Sequence, residues 1–529
     1  MIADADGGSD LIGPTHETRR QFLSHLAAML LAVAAAVVAC GPAIGQPLNG
    51  RLESVLAHAG LGERARVSLS VVDLGTGRTL AAINPDVALI PASNMKVLTS
   101  GTALVTLGPD FVFRTELARA GDRLIIRGSG DPALADPDLL EQTQAGMSVE
   151  DLLRMLAEAV AKGFEGRISE IIVDDRVFDR VYVHPAWDPS DLNRRYAPEV
   201  SGLNFHGNLL WLYPRPAPEG PGHAPRVAIQ PRADWIEVVV AGRTIADGAD
   251  TAWFARDAGS NRFRLHGDVR TARRYPEQVP THNNPLLFGQ LLADRLLALG
   301  VRVGNETRPG HRPPAAVRLV GENESLPEGV ALAVVTTPIA DVLRRCNTDS
   351  NNMYAEALLK LSGKRVTGEP GSWANGAAVV RMVMQDRIGE VHAARTVVAD
   401  GSGLCDLNRV SASTLTAWLV SFERDERLRS AFMDSLAVPG EGTFTRRFQG
   451  VALKNLVAGK SGTLMRTGVR TLSGYVVHPV TGRRLAYAVL VNGVTGESGP
   501  AASRFAERVV GVLDEWLAEQ EASAGAFGG

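Results

Sequence analysis

Ser93-Asn94-Met95-Lys96 places a hydroxyl and an amine three residues apart, and no other serine in the chain has a lysine at that spacing. Ser350-Asn351-Asn352 follows, with Ser350 the only serine that has an asparagine two residues on, and then Lys460-Ser461-Gly462-Thr463. A serine hydroxyl is a weak nucleophile until a neighbour takes its proton. On a helix, positions i and i+3 share a face, so Lys96 lies one turn from Ser93 and within reach of its oxygen. Lysine serves as a base only where burial or nearby cations lower its pKa. A serine near a helix N-terminus also offers its own N–H to a developing oxyanion. The three patterns in this order are the parts of an acyl-transferring serine site with lysine as the base.

The later motifs have plainer readings beside the chemical one. Ser350 and the asparagines precede a helical stretch and could simply cap it. In the chemical reading, Ser350 relays a proton to the leaving amine, and Asn352 holds the lysine ammonium and the substrate backbone. Lys460 would supply positive charge to a substrate carboxylate, and the hydroxyls of Ser461 and Thr463 would hydrogen-bond it. Gly462 would let a substrate backbone come close. Arg466-Thr467-Gly468 fits the bare pattern about as well as Lys460 does. Lys460 is preferred because the strand-like Thr471 to Val476 follows it at hairpin distance.

Elements must bring these motifs together. Arg66 to Leu74 and Thr79 to Ile83 read as a hairpin around Gly75-Thr76-Gly77, and a helix runs from about Ser93 to Leu107, stopped by Gly108-Pro109. Residues 109–282 read as short strands (Arg123 to Arg127, Glu170 to Asp174, Trp235 to Ala241, Arg262 to His266) among Pro- and Gly-rich loops, with one helix at Val149 to Lys162 and a surface loop at Pro214 to Pro225. From Asn283 the pattern turns helical, at Pro285 to Leu299, Pro338 to Arg345, Asn352 to Ser362 and Gly376 to Gly389. Strands at Gly468 to Val476 and Arg484 to Asn492 and a helix at Ala502 to Leu517 close the chain. The terminal strands must share one antiparallel sheet for the motifs to converge. The expected architecture is α+β, with residues 46–108 and 283–520 forming one domain, a β-rich insertion at 109–282 and a flexible tail at 521–529.

With 529 residues, 45% apolar and 21% charged, the chain suits a globular protein of several domains. A net charge of -3 and a pI near 6.4 provide no basic field for nucleic acid. Residues 1–45 read as a targeting segment, with twin arginines in Thr18-Arg19-Arg20-Gln21-Phe22-Leu23 before an uncharged apolar run, Leu26 to Ala39. That run is short for a permanent membrane span, the alternative reading. Val37-Val38-Ala39-Cys40 resembles a lipobox that would leave a lipid on Cys40. Ala43-Ile44-Gly45 resembles an ordinary cleavage site that would leave Gln46 as the mature start. Both place the mature chain outside the cytoplasm, as in a periplasm, with membrane contact only through a lipidated Cys40. In that oxidising setting Cys346 and Cys405 either pair, stabilising by roughly 4 kcal/mol in the chain-entropy picture, or stay as buried thiols.

Three other chemistries find little support. Scattered histidines with no His-x-x-x-His or Cys-x-x-Cys offer no metal site. Gly128-Ser129-Gly130-Asp131-Pro132-Ala133 matches a dinucleotide fingerprint superficially but lacks a βαβ frame. There is no Gly-x-Ser-x-Gly elbow of an ordinary esterase. No cofactor is expected.

The chain resembles the low-molecular-mass penicillin-binding proteins that act as D-alanyl-D-alanine carboxypeptidase/endopeptidases and carry a large insertion after the nucleophile helix. The three motifs carry the resemblance, with the long interval between Ser93 and Ser350, which is much shorter in β-lactamases. So do Arg127 to Pro132, Tyr196-Ala197-Pro198-Glu199-Val200-Ser201, Asp400-Gly401-Ser402-Gly403-Leu404, Asn408-Arg409-Val410-Ser411 and Leu472-Ser473-Gly474-Tyr475. The resemblance spans about residues 50 to 515. It implies a β-lactamase/transpeptidase-like domain, an antiparallel sheet with a helical subdomain. It also implies Ser93 as acylated nucleophile, Lys96 as its base, and Ser350 and Asn352 as relay and positioning groups. Lys460, Ser461, Gly462 and Thr463 would bind the terminal carboxylate, with the N–H groups of Ser93 and Thr463 as oxyanion hole. Ser461 stands where threonine is usual, keeping the hydroxyl, and Asn351 stands where aspartate is common. Peptidoglycan stem peptides and β-lactam antibiotics are the expected partners. A β-lactamase sharing the acylation step and a catalytically silent wall-binding protein are the alternatives.

Overall fold

A computed structural model describes residues 47–143 and 146–527. The targeting segment, Cys40 and Gln46 lie outside the described residues. The first and last strands do share a sheet. Its five strands run in the order Leu456–Leu464, Val469–Val477, Arg484–Asn492, Arg66–Asp73, Thr79–Ile83. Every ladder in it is antiparallel. Helices Ala412–Glu423 and Ser498–Phe527 pack on this sheet. With both faces covered, the strand Arg484–Asn492 is buried at eight successive positions instead of at alternate ones. The closing helix extends to Phe527, well past the Leu517 expected from its sequence pattern and into the stretch read as a tail.

The sheet shares a core with helices Met95–Leu107, Ile339–Asn347, Asn352–Thr367, Trp373–Ile388 and Ala412–Glu423. Met95–Leu107 is buried along ten consecutive residues, the mark of a helix enclosed on all sides. A single 3-10 turn, Ala92–Asn94, precedes it, so Ser93 stands at the mouth of the helix and not within it.

A second core occupies much of the chain between these parts. Its main sheet runs Val317–Leu319, Glu170–Asp174, Arg123–Arg127, Val112–Ala120, Val330–Pro338, and helices Val149–Lys162 and Asn284–Ala298 pack with it. Val149–Lys162 has the expected bounds, set by a Ser148–Asp151 capping box and Gly163. The boundary expected at 282/283 falls inside this second core. Asn284–Ala298 is a helix as its pattern requires, but its Gly289 packs against Val173 and Val317 of the second sheet. Phe113, Ala133, Phe178, Trp187, Ala197 and Val200 reach into the first core from the insertion, and the chain returns to it with whole helices after Pro338. Helical periodicity reports that a helix has an apolar face, not which core receives it.

Bonds across the two cores tie helix Asn352–Thr367 to the insertion. Tyr354 donates to Asp136, which also pairs with Arg345 at 3.0 Å. Lower on the helix, the buried Lys360 ammonium reaches Asp179 at 2.7 Å and stands over the Trp373 ring. Cys346 and Cys405 are buried free thiols, so the pairing alternative does not hold in this structure. Among the described residues no group of three or more His, Cys, Asp or Glu side chains is placed to hold a metal ion.

Candidate active site

The nucleophile turn is held in a conformation that a free chain would avoid. Ala92 adopts φ +46, the left-handed region that costs an alanine about 1 kcal/mol or more. Contacts on both sides fix it there. On one, Thr471 donates to the Pro91 carbonyl at 2.8 Å, Asn94 donates to Thr471 at 2.6 Å, and Ser473 donates to Asn94. On the other, the loop at Gly403 presses so close that a Cβ there would sit 1.8 Å from the Ala92 oxygen. With Gly403 at φ +81, only glycine suits that position.

Lys96 is fully buried and its ammonium has three acceptors: Ser93 Oγ at 3.0 Å, Asn352 Oδ1 at 2.6 Å and the Ser402 carbonyl at 2.8 Å. Burial lowers its pKa from 10.5 to about 8, against the opposing pull of Glu356 and Asp400. Lys96 of the first motif and Asn352 of the second are thus in direct contact. Asn351 occupies the helix N-cap yet makes no side-chain cap bond, so capping does not account for this motif. Asn352 instead spans the cleft, accepting from Lys96 and donating its Nδ2 to the Tyr196 carbonyl at 2.7 Å. Ser350, at φ +61 in the preceding turn and half-buried, has no hydrogen bond to Ser93, Lys96 or Lys460 among the described residues.

Lys460 to Thr463 form the outer strand of the first sheet, paired with Arg470 to Ser473. Gly462 lies against the nucleophile turn, where a Cβ would come within 2.9 Å of the Ser93 nitrogen and the Pro91 oxygen. Lys460 is buried and donates to the Ser461 carbonyl at 2.8 Å. Burial first, and Lys96 second, push its pKa well below the ordinary lysine range. Ser461 is buried and Thr463 exposed on the same strand. The rival Arg466 sits in the turn beyond, 3.4 Å from both Asp188 and Asp406, away from the strand face that meets Ser93.

Two buried carboxylates shape the loop that contacts Lys96. Glu356, one turn beyond Asn352, accepts from the Gly401 amide at 2.8 Å, the Ser402 amide at 2.7 Å and Trp373 Nε1 at 2.8 Å. Asp400 accepts from the amides of Gly403 and Cys405, from Asn408 and from Trp187 Nε1. Burial, reinforced by Asp400, raises the pKa of Glu356. Reading the chain for motifs passes over Glu356, although a lone glutamate within Met353-Tyr354-Ala355-Glu356-Ala357-Leu358-Leu359 is a visible signal of a partnered buried charge. The stretch around Ser402 resembles the family without an evident role; its role here is the backbone carbonyl that receives Lys96.

The arrangement can activate a hydroxyl with an unprotonated amine and hold an anion beside it. Sequence comparison agrees: the profile of the D-Ala-D-Ala carboxypeptidase 3 (S13) family matches residues 48–515. The chain belongs to that family. This S13 protein is 30% identical over 496 residues to the D-alanyl-D-alanine carboxypeptidase of Actinomadura sp., covering 89% of this chain and 85% of that one. It is 22% identical over 453 residues to the carboxypeptidase DacB of Haemophilus influenzae, covering 82% and 86%. The crystal structure of penicillin-binding protein 4 from Haemophilus influenzae superposes with a TM-score of 0.68 at 21% identity, covering 87% of this chain and 99% of that one. The fold is that of the β-lactamase/transpeptidase-like proteins.

Proposed function

We propose that the chain is a serine D-Ala-D-Ala carboxypeptidase, with endopeptidase action on cross-links, acting on peptidoglycan stem peptides through an acyl-enzyme on Ser93. The observation that carries this reading is the Lys96 ammonium, 3.0 Å from Ser93 Oγ and buried enough to lose its proton near pH 8. Neutral Lys96 takes the Ser93 proton as Oγ attacks the carbonyl of the penultimate D-alanine. The N–H groups of Ser93 and Thr463 face the oxyanion. The C–N bond breaks, and the proton returns through Ser350 to the departing amine. Water then hydrolyses the ester with Lys96 again as base. Lys460 and the hydroxyls of Ser461 and Thr463 hold the terminal carboxylate, and Gly462 lets their strand lie directly against the nucleophile turn rather than leaving room for the substrate backbone.

A β-lactam carries a strained amide and a carboxylate in the same relation, so penicillin acylates Ser93 and stays attached. The twin-arginine-like segment supports export, and Cys40 a lipid anchor, in line with a wall substrate outside the cytoplasm.

Mass spectrometry of a penicillin-treated digest should find the adduct on the peptide bearing Ser93, persisting for minutes or longer. Turnover within seconds would identify a β-lactamase. Ser93→Ala should abolish D-alanine release from a model pentapeptide, and unimpaired release would refute the assignment.

A further inference from the structure

Among the described residues only three Phe, Trp or Tyr side chains are well exposed, and all three line one cleft of about 830 Å³ in the insertion. They are Tyr196, Trp253 and Tyr275, with 44%, 53% and 73% of their surface open. Scattered exposed apolar residues need no explanation, but these three gathered in one depression do. We propose that this cleft is a subsite for amino-sugar rings of the glycan strand to which a stem peptide is attached. The proposal rests on the reading of the chain as a stem-peptide hydrolase.

Position links the cleft to the chemistry. The Tyr196 carbonyl accepts from Asn352, whose other amide atom accepts from Lys96, while Tyr196 itself lines the cleft. Tyr196 thus joins the cleft wall to the hydrogen-bond chain that holds Lys96. A stem of a few residues, at about 3.5 Å each, reaches from a scissile bond into the cleft.

The walls suit a sugar. A pyranose presents apolar C–H faces and a rim of hydroxyl and acetamido groups, the complement of an aromatic face beside hydrogen-bond donors. Trp253 is pre-set for this: it pairs across strands with His266 and stacks on it at 4.4 Å and 15°. A ring already fixed loses little freedom on binding. Arg194 and Arg195 are exposed on the cleft wall and form no ion pair among the described residues, so their guanidinium donors are available to rim oxygens. Small D-amino acids have no large flat face to set against three aromatic rings.

The test compares substrates that differ only in the glycan. For the Trp253→Ala, Tyr275→Ala double variant, kcat/KM on a short acyl-D-Ala-D-Ala peptide should stay within about twofold, as should acylation by labelled penicillin, the control for folding. On the same stem carried by a disaccharide, kcat/KM should fall about tenfold or more, chiefly through KM. Equal losses on both substrates would assign the cleft to peptide, and no loss on either would remove it from binding; each overturns the proposal. A second measurement separates this failure from failure of the peptidase reading. Titration of the full chain with N-acetylglucosamine oligomers should perturb tryptophan fluorescence, and this response should vanish in Trp253→Ala. A wild-type chain that binds the oligomer without releasing D-alanine would sink the peptidase reading alone. Absence of oligomer binding would sink the subsite.

Discussion

Two buried lysines serve the Ser93 neighbourhood in opposite ways. The region around Lys96 is saturated: three acceptors surround the ammonium, and the loop and helix that supply them are themselves held by Glu356 and Asp400. The region around Lys460 is open only in its bonding: the ammonium is equally buried, with a single carbonyl as its partner among the described residues. Burial lowers the pKa of both amines, so the difference lies in their bonding: an ammonium with all its donors engaged is held to one geometry, here beside the Ser93 hydroxyl. A cation with donors unspent suits an incoming anion. The contrast separates base from receptor without appeal to motif names.

The largest effects should come from the saturated side. Lys96→Met removes the base while keeping most of the volume, and penicillin acylation should fall by about 10⁴-fold or more. Stability should move the other way. Lowering a lysine pKa from 10.5 to about 8 corresponds to about 3 kcal/mol of destabilisation near neutral pH. Between those two values the unfolded chain keeps the proton and the folded chain sheds it, so wild-type stability rises with pH across that window. Lys96→Met should melt no lower than wild type at pH 7 and show a smaller rise, because the lowered pKa of Lys460 keeps its own share, as thermal unfolding across pH 7 to 10 would show. A variant less stable at neutral pH would break the comparison.

On the open side the loss should depend on the substrate. Lys460→Ala should lower kcat/KM by about 10²-fold for peptides ending in a free carboxylate. With a C-terminal amide the wild type should lose a similar factor and the variant little more. If the two losses simply add, Lys460 does not read the carboxylate.

Much of this contrast was legible in the sequence because it rests on residue types. A serine and a lysine one helical turn apart, an asparagine after a second serine and a lysine before glycine each require a particular side chain. The hairpin at Arg66–Ile83 and the helix Val149–Lys162 were legible because turn and cap residues bound them. Less was visible where the backbone does the work. The acceptors at Ser402 and Tyr196 are carbonyls, which every residue has, so no side-chain pattern points to them. The strand Val330–Pro338 was missed because its partner Val112–Ala120 is distant in sequence, and with it the extent of the second core.

The finest test lies in the support of the saturated side, and its sign is informative. Lys96 acts as base only when neutral, so wild-type acylation should rise with pH and level off above about pH 8. Glu356 and Asp400 are the two carboxylates whose charge pulls the Lys96 pKa upward, while Cys346, its pKa raised to about 12, stays neutral here. Glu356→Gln removes its share of that pull, and the rising limb should shift to lower pH by less than about one pH step, since Asp400 remains. The plateau should also drop, by about tenfold, because glutamine must turn an N–H toward donors that the carboxylate accepts from Gly401, Ser402 and Trp373. A merely structural role for Glu356 would lower the plateau and leave the limb in place. Rates of acylation by labelled penicillin from pH 5 to 10 distinguish the two, and a limb that stays fixed or moves upward would show that Glu356 braces the loop without tuning the base.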